Sequence, residues 1–296
     1  MNNYSKFTTN YIGKVIKTIR KDKKSVFLIG PNGMGKSTIL NGAMDNLKDH
    51  PDYKCLHFDM RDAAGALDFY TRIIEKIDST IPVKLTNRGL SSIFYEEFSN
   101  RVQNNNEQLI IFFDHVESVN RNFYDQFSIV FRRIIIEIQG QYAPLFVFCG
   151  SRVTTSPESS NLDTSPLWNV TEPIEVKPCR GKDLEEMISF HYKALTGSNA
   201  DPDIISFIAR VTNGHTLLIR SLIRYISEMN ITDFENETVI VNKYSLHYLS
   251  GHQNDNHLLA HIQHIMDKFK TMPLLLINMI ESIRNNATPS ENIPDR

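Results

Sequence analysis

Residues 30–37 form the segment of this sequence whose residue types most directly indicate chemistry. They read GPNGMGKS, which matches the pattern G-x-x-x-x-G-K-[ST], and Thr38 follows. Glycines allow backbone N–H groups to point inward around an anion, and a helix that starts at the loop favours negative charge at its N-terminus. At the end of such a loop a lysine reaches the β- and γ-phosphates of a nucleotide, and a hydroxyl can ligate Mg²⁺. The segment therefore predicts ATP binding, with the Ser37 hydroxyl as a metal ligand and phosphate-loop contacts from Gly30, Pro31, Asn32, Gly33, Met34, Gly35, Lys36, Ser37 and Thr38.

Two acidic residues follow the apolar run LIIFF of residues 109–113. An unbroken apolar run is typical of a strand covered on both faces, and Asp114 would stand at its end. There a carboxylate can hold Mg²⁺ through water, so we predict Asp114 as a metal-site residue. Glu117 is a candidate catalytic base that orients or deprotonates the attacking water; alternatively, it complements the dipole of a following helix. His115 occupies the position directly after Asp114, which leaves the identity of the base open.

Two further segments place polar residues where ligands could reach them. Residues 145–152 read LFVFCGSR, so Ser151 and Arg152 would follow a buried strand at the edge where ligands sit in open α/β sheets. Ser151 can contact the γ-phosphate or the attacking water, and Arg152 can stabilise the charge on the γ-phosphate. Alternatively, Arg152 is a surface residue that caps a loop. Later in the chain, the turn VTNGH places His215 where it can touch the base or β-phosphate, or where it forms a simple packing corner between helices.

Strands and helices alternate up to about residue 180, and helices follow alone. The predicted strands cover residues 25–29, 55–59, 109–113, 144–149 and 174–176. Helical spacing of apolar residues covers 7–20, the residues after the phosphate loop to about 47, 66–77, 93–102, 123–138, 184–195, 202–211 and 215–229. A short strand is also predicted for residues 238–241. This pattern predicts an α/β nucleotide domain at 1–180 and a helical lid at 181–250.

The composition excludes several classes of protein. The chain has 296 residues, 41% of them apolar, so it can bury a real core and is not predominantly disordered. Its net charge of −2 does not favour a nucleic-acid binder, although residues 14–24 contain six cations against one acid. We interpret that basic segment first as a solvated helix end and second as a phosphate-facing patch. Three scattered cysteines, no signal-like N-terminus and no apolar run of about 20 residues predict a cytoplasmic protein without a membrane partner.

The order of the motifs resembles that of AAA+/STAND P-loop NTPases, nearest to the ATPases related to origin-recognition proteins. The resemblance covers about residues 7–230 and rests on GPNGMGKST, LIIFFDHVE, FVFCGSR and TNGHT. It implies a five-stranded parallel sheet of order 5-1-4-3-2, a helical lid and a winged-helix domain, whose start would lie at 251–296. It also implies an arginine that reaches a neighbouring subunit, for which Arg132 and Arg133 are candidates unless they belong to a solvated helix face. Thr216 stands where the family usually has proline.

These features predict an ATP-binding and ATP-hydrolysing switch that couples Mg²⁺-ATP to assembly, as a homo-oligomer or with a protein partner. In this interpretation Lys36, Glu117 and Arg152 are the catalytic residues. One alternative is a DNA-associated AAA+ regulator, which the basic segment at residues 14–24 favours. Another is a scaffold that binds ATP without hydrolysing it, because His115 stands where the family commonly has glutamate.

Overall fold

A computed structural model gives the fold of the chain. It describes residues 4–80, 82–83, 85–103, 107–151, 167–231, 237, 239–241 and 243–244. The chain divides into two compact units. An α/β unit comprises Thr8–Pro31 and Lys36–Val176, and a helical unit comprises Met1–Phe7, Asn32–Gly35 and Lys177–Arg296. The tip of the phosphate loop, Asn32–Gly35, thus belongs to the helical unit, whereas the loop begins and ends in the α/β unit.

The α/β unit is built around a parallel sheet with the order β2-β3-β4-β1-β5. Its strands are β1 (Val26–Ile29), β2 (Tyr53–Asp59), β3 (Gln108–Asp114), β4 (Leu145–Gly150) and β5 (Glu172–Glu175). Its helices are α1 (Lys6–Arg20), which belongs to this unit from Thr8 onwards, α2 (Lys36–Lys48), α3 (Ala66–Ile77), α4 (Leu90–Gln103) and α5 (Arg121–Glu137). The order predicted from the sequence, 5-1-4-3-2, is the same arrangement and is confirmed. Because all pairs are parallel, the carboxyl ends of the strands share one edge of the sheet.

Aromatic side chains dominate the main core of this unit. Alternate residues of β3 and β4, among them Phe113, Phe146 and Phe148, pack against apolar residues of α3, α4 and α5. The strands β1, β3 and β4 are buried along their whole length, as the apolar runs predicted. This burial on both faces fixes the strands, so that the residues directly after them occupy defined positions at the sheet edge.

The helical unit contains α6 (Gly181–Thr196), α7 (Pro202–Thr212) and α8 (Thr216–Glu228), which pack around their own apolar cluster. The strand predicted for residues 238–241 is wrong for 239–241, which are helical. Ile240 and Val241 bury their side chains in the cluster of this unit, so tertiary packing overrides the local preference of β-branched residues for strands. The predicted winged-helix segment, 251–296, lies outside the described residues. Among the described helices, none is both long and apolar enough to cross a membrane.

Candidate functional site

The phosphate loop connects β1 to α2 at the carboxyl edge of the sheet. Gly30 directly follows β1, and a Cβ added there would lie 2.7 Å from the carbonyl oxygen of Val176, so this position needs a glycine. Gly33 and Gly35 have φ angles of +75° and +84°, in the left-handed region that glycine adopts without strain. These turns bring the chain to the first residue of α2, Lys36, and leave the helix N-terminus facing the loop.

Lys36 is buried, with only 7% of its surface exposed, which is unusual for a lysine. Its Nζ donates a hydrogen bond of 3.0 Å to the carbonyl oxygen of Pro31, so the ammonium is folded back over the beginning of the loop. Ser37 is half-buried and Thr38 is exposed. In the described part of the chain, no side chain or backbone group forms a hydrogen bond with the Ser37 hydroxyl. The loop thus holds one buried cation and one hydroxyl that is available to a ligand.

Asp114 and Asp59 end two neighbouring strands and are paired in register, Asp59 on β2 with Asp114 on β3. Asp114 is 4% exposed and accepts a hydrogen bond of 2.9 Å from the backbone N–H of His115. The His115 ring lies between the two carboxylates, with Nδ1 3.3 Å from Asp59 Oδ1 and 3.5 Å from Asp114 Oδ2. His115 has φ +54° and ψ +44°, a left-handed conformation that is uncommon for residues other than glycine. The backbone therefore turns sharply at the site, and the imidazole lies beside both acids.

Sequence analysis did not identify Asp59 as part of the site. Arg61 donates three side-chain hydrogen bonds and one backbone hydrogen bond to its carboxylate. Burial raises the pKa of Asp59, but the hydrogen bonds from Arg61 and the nearby His115 outweigh it, so this pKa lies below its ordinary value. Asp59 is consequently ionised at neutral pH. The available signal was the segment CLHFD, which ends in an acid just as LIIFFD does.

Glu117 and Ser151, which were predicted from separate segments, are brought together. Glu117 lies in a short 3-10 turn after β3, and its Oε2 accepts a hydrogen bond of 3.3 Å from the backbone N–H of Ser151. Cys149, on β4 beside them, is fully buried. Burial raises the pKa of its thiol well above the ordinary value; Asp114 and Glu117 raise it further, whereas Lys36 lowers it. Lys36, Asp114 and Glu117 therefore all lie near enough to the Cys149 thiol to affect its pKa.

The donor set of this edge fits a hydrated Mg²⁺ ion. Within ion-pair distance of Asp114, the described residues supply one ionisable nitrogen, that of His115. A buried carboxylate without a lysine or arginine partner is costly unless a cation from outside neutralises it. Mg²⁺ prefers oxygen ligands, usually one or two from the protein together with water and phosphate oxygens. Asp114 and the Ser37 hydroxyl are oxygen donors of this kind. Nowhere in the described residues, this edge included, does a group of three or more His, Cys, Asp or Glu side chains form a metal site.

Several solved structures resemble this chain over most of its length. The ORC1 protein of Aeropyrum pernix in complex with DNA gives a TM-score of 0.56 at 13% identity, covering 95% of this chain and 78% of that one. The Walker-type ATPase of Pyrococcus abyssi gives 0.57 at 10% identity, covering 95% and 85%. AMPPCP-bound DnaA from Aquifex aeolicus gives 0.52 at 12% identity, covering 86% and 72%. The chain has the AAA+ ATPase fold. No protein-family model and no curated protein matches the sequence.

The arginines singled out from the sequence differ in their surroundings within this AAA+ fold. Arg133 lies over the ring of Tyr95 at 3.8 Å and bonds to Glu137 on its own helix, α5. Arg132 is exposed, and the described residues offer it no acidic partner. Arg133 is therefore already engaged within its own chain, whereas Arg132 is available to a neighbouring molecule. Arg152 lies outside the described residues, so its role remains a prediction from the sequence.

Proposed function

We propose that this chain binds Mg²⁺-ATP on the phosphate loop and hydrolyses it to ADP and phosphate. The observation that carries the proposal is the loop of residues 30–37 between β1 and α2, with Lys36 and Asp114 both buried at the same sheet edge. A buried ammonium, a helix N-terminus and glycines in left-handed conformations all favour a polyphosphate. The AMPPCP-bound DnaA among the similar structures agrees with this assignment.

Each residue of the site would have a separate role in ATP hydrolysis. Lys36 would bind the β- and γ-phosphates, and Ser37 and Asp114 would hold Mg²⁺. When bound, the ion would neutralise phosphate charge and so favour attack by water. Glu117 would orient the attacking water, because its carboxylate is held beside Ser151 at the same edge as Asp114. The scaffold alternative predicts ATP binding without turnover, so release of phosphate by the purified chain, alone and with its partner, distinguishes the two.

We propose further that ATP changes the assembly of the protein. A ligand shifts such an equilibrium only by its difference in affinity for the two states, so the γ-phosphate must be recognised separately from the β-phosphate. Arg152 is the residue that the sequence assigns to this task. Light scattering on the nucleotide-free, ADP-bound and AMPPCP-bound protein tests the proposal. We expect AMPPCP to change the mass or the affinity for a partner, and Arg152→Ala to abolish that change while ADP binding stays within about threefold. Identical mass and partner affinity in all three states would contradict the switch.

A DNA-associated regulator is the second candidate, because of the surface at the end of α1. Lys14, Lys17, Arg20 and Lys21 are exposed, and none has an acidic partner in the described part of the chain. Lys23 and Lys24, in contrast, contact Gln108 and Glu172 at the beginning of β3 and β5. The cations therefore lie at the amino edge of the sheet, opposite the phosphate loop. The ORC1 structure that this chain resembles is a complex with DNA.

Fluorescence anisotropy with duplex DNA tests this second candidate. If the surface binds DNA, Lys17→Glu together with Lys21→Glu should weaken binding at least tenfold and reduce its salt dependence, because each lost phosphate contact reduces counterion release. Arg121→Glu, an exposed position where α5 begins at the carboxyl edge of the sheet, is the matched control. DNA binding that is absent, or equal in all three proteins, would exclude a role for this surface.

A further inference from the structure

The N-cap and the first turn of α8 form two hydrogen bonds with the tip of the phosphate loop, within the helical unit. The ring of His215 lies with Nε2 3.1 Å from the carbonyl oxygen of Asn32. Two residues later, the backbone N–H of Leu217 donates a hydrogen bond of 2.9 Å to the carbonyl oxygen of Gly33. Two successive carbonyl groups of the loop tip are thus held by the N-cap of α8 and by the second residue of the helix.

The second nitrogen of His215 fixes the tautomer of the ring. His215 precedes α8 as its N-cap, and Nδ1 accepts a hydrogen bond of 3.4 Å from the backbone N–H of Leu218. A nitrogen that accepts from an N–H carries no proton, so in the neutral ring the proton is on Nε2. Nε2 therefore donates to Asn32. The residue is 1% exposed, and both ring nitrogens are used by backbone groups, which leaves neither for a nucleotide.

Helix capping alone does not account for a histidine at this position. Serine, threonine, aspartate and asparagine are the residues that cap helix N-termini best, and each would accept the N–H of Leu218 with a single oxygen. The imidazole has a second nitrogen, Nε2, farther from the backbone, and this atom forms the hydrogen bond with the carbonyl oxygen of Asn32. The close approach of the loop to His215 also requires a glycine at position 33. A Cβ there would lie 2.7 Å from Cε1 of His215 and 2.9 Å from Cβ of Leu217.

Because peptide bonds are planar, the hydrogen bonds to the carbonyl groups of the loop tip also set the directions of the neighbouring N–H groups. In a trans peptide, the C=O of one residue and the N–H of the next point in opposite directions. Holding the carbonyls of Asn32 and Gly33 towards α8 therefore turns the N–H groups of Gly33 and Met34 away from it. Such N–H groups are the donors with which a glycine-rich loop binds phosphate.

We propose that His215 is a positioning residue for phosphate binding: with the backbone of Leu217, it fixes the loop tip so that its N–H groups are oriented before the nucleotide arrives. The inference rests on the proposed function, since it concerns the same loop. It assigns to His215 no contact with the base or with a phosphate, in contrast to the expectation from the sequence. A loop that is oriented in advance binds more tightly, because less ordering is required on binding.

Two substitutions separate the capping bond of His215 from its bond to the loop. In His215→Asn, the amide oxygen can replace Nδ1 and keep the cap, but the side chain is too short to reach Asn32. In His215→Gln, the amide nitrogen can replace Nε2 and keep the bond to Asn32, but glutamine is a poor cap. We expect His215→Asn, which keeps the cap, to melt no earlier than His215→Gln and to bind ATP, ADP and inorganic pyrophosphate three- to tenfold more weakly than the wild type, the equivalent of one hydrogen bond. We expect His215→Gln to melt earlier and to bind all three within twofold of the wild type.

Isothermal titration calorimetry gives the affinities, and amide hydrogen exchange of the nucleotide-free protein gives an independent readout. The N–H of Leu217 lies in the first helical turn, where it has no partner inside the helix, so slow exchange would report its bond to Gly33. We expect slow exchange in the wild type and faster exchange in His215→Asn. Three results would overturn the inference. The first is nucleotide affinity that falls in step with the melting temperature across the variants. The others are a loss of affinity for ATP but not for pyrophosphate, and fast exchange of the Leu217 N–H in the wild type. If the wild type and His215→Asn bind ATP with equal affinity, this inference is wrong but the proposed function stands. If the wild type binds no nucleotide, the proposed function is wrong.

Discussion

Glu117→Gln is the substitution that most clearly separates ATP turnover from ATP binding. Glu117 accepts the N–H of Ser151 through one carboxylate oxygen at 3.3 Å. The amide oxygen of glutamine can accept the same hydrogen bond, so the turn after β3 should keep its shape. The bond is long, and replacing its charged acceptor with a neutral one should change the free energy of unfolding by less than about 1 kcal/mol. The loss that remains is the ability of the side chain to take a proton from water.

A positioned general base contributes about 10²-fold or more to a rate, which corresponds to about 2.7 kcal/mol of activation free energy. We therefore expect Glu117→Gln to release phosphate at least about 10²-fold more slowly, while its affinity for ATP stays within about twofold. Steady-state phosphate release and calorimetry with AMPPCP measure the two quantities. Glu96→Gln, an exposed position on α4, is the matched control and should behave as the wild type. Unchanged turnover in Glu117→Gln would show that another group activates the water.

Two stability predictions concern the helical unit. Gly214 has φ +78° and its absent Cβ would collide with the carbonyl oxygen of Cys179, so Gly214→Ala should destabilise the protein by more than about 2 kcal/mol, measured by chemical denaturation. Gly13→Ala, in α1 with open space around it, should instead stabilise by about 0.5–1 kcal/mol, and equal effects of the two would contradict the packing described for Gly214. Burial, and then Arg220, lower the pKa of His191 from 6.5 to about 4, so the unfolded chain binds this proton more readily than the folded one. Stability should therefore fall by about 2 kcal/mol as the pH drops from 6.5 to 4.5, and His191→Gln should lose that part of the decrease; the same pH dependence in both proteins would refute the assignment.

The sheet could be predicted from the sequence because its central strands are unbroken apolar runs. LIIFF and LFVFC have no alternation, which is typical of strands covered on both faces, and each run ends in residues with polar or small side chains. The local sequence pattern was sufficient to predict these strands, since few other structures bury every residue of such a short apolar run. It was misleading at residues 239–241, where valine and isoleucine favour a strand but contact with the helical core decides for a helix.

The parts of the site that the sequence did not reveal depend on contacts between distant segments. Asp59 joins Asp114 only because β2 and β3 pair in a particular register. The contact of His215 with Asn32 spans 183 positions of the chain, and no spacing rule relates them. In both cases the residue types were visible, but the partners that give them a role are set by tertiary structure.

Calorimetric titration of Mg²⁺-ATP into the wild type and Lys36→Ala tests the central claim most directly. Among the described residues, the buried ammonium of Lys36 donates a hydrogen bond only to the carbonyl oxygen of Pro31. In the ATP complex it would donate to phosphate oxygens instead. Loss of a charge-assisted hydrogen bond corresponds to about 1.5–3 kcal/mol, so we expect Lys36→Ala to bind about 10- to 100-fold more weakly. Lys48→Ala, at the exposed end of the same helix, should bind as the wild type. Equal ATP affinity in folded Lys36→Ala and the wild type would contradict nucleotide binding by this loop.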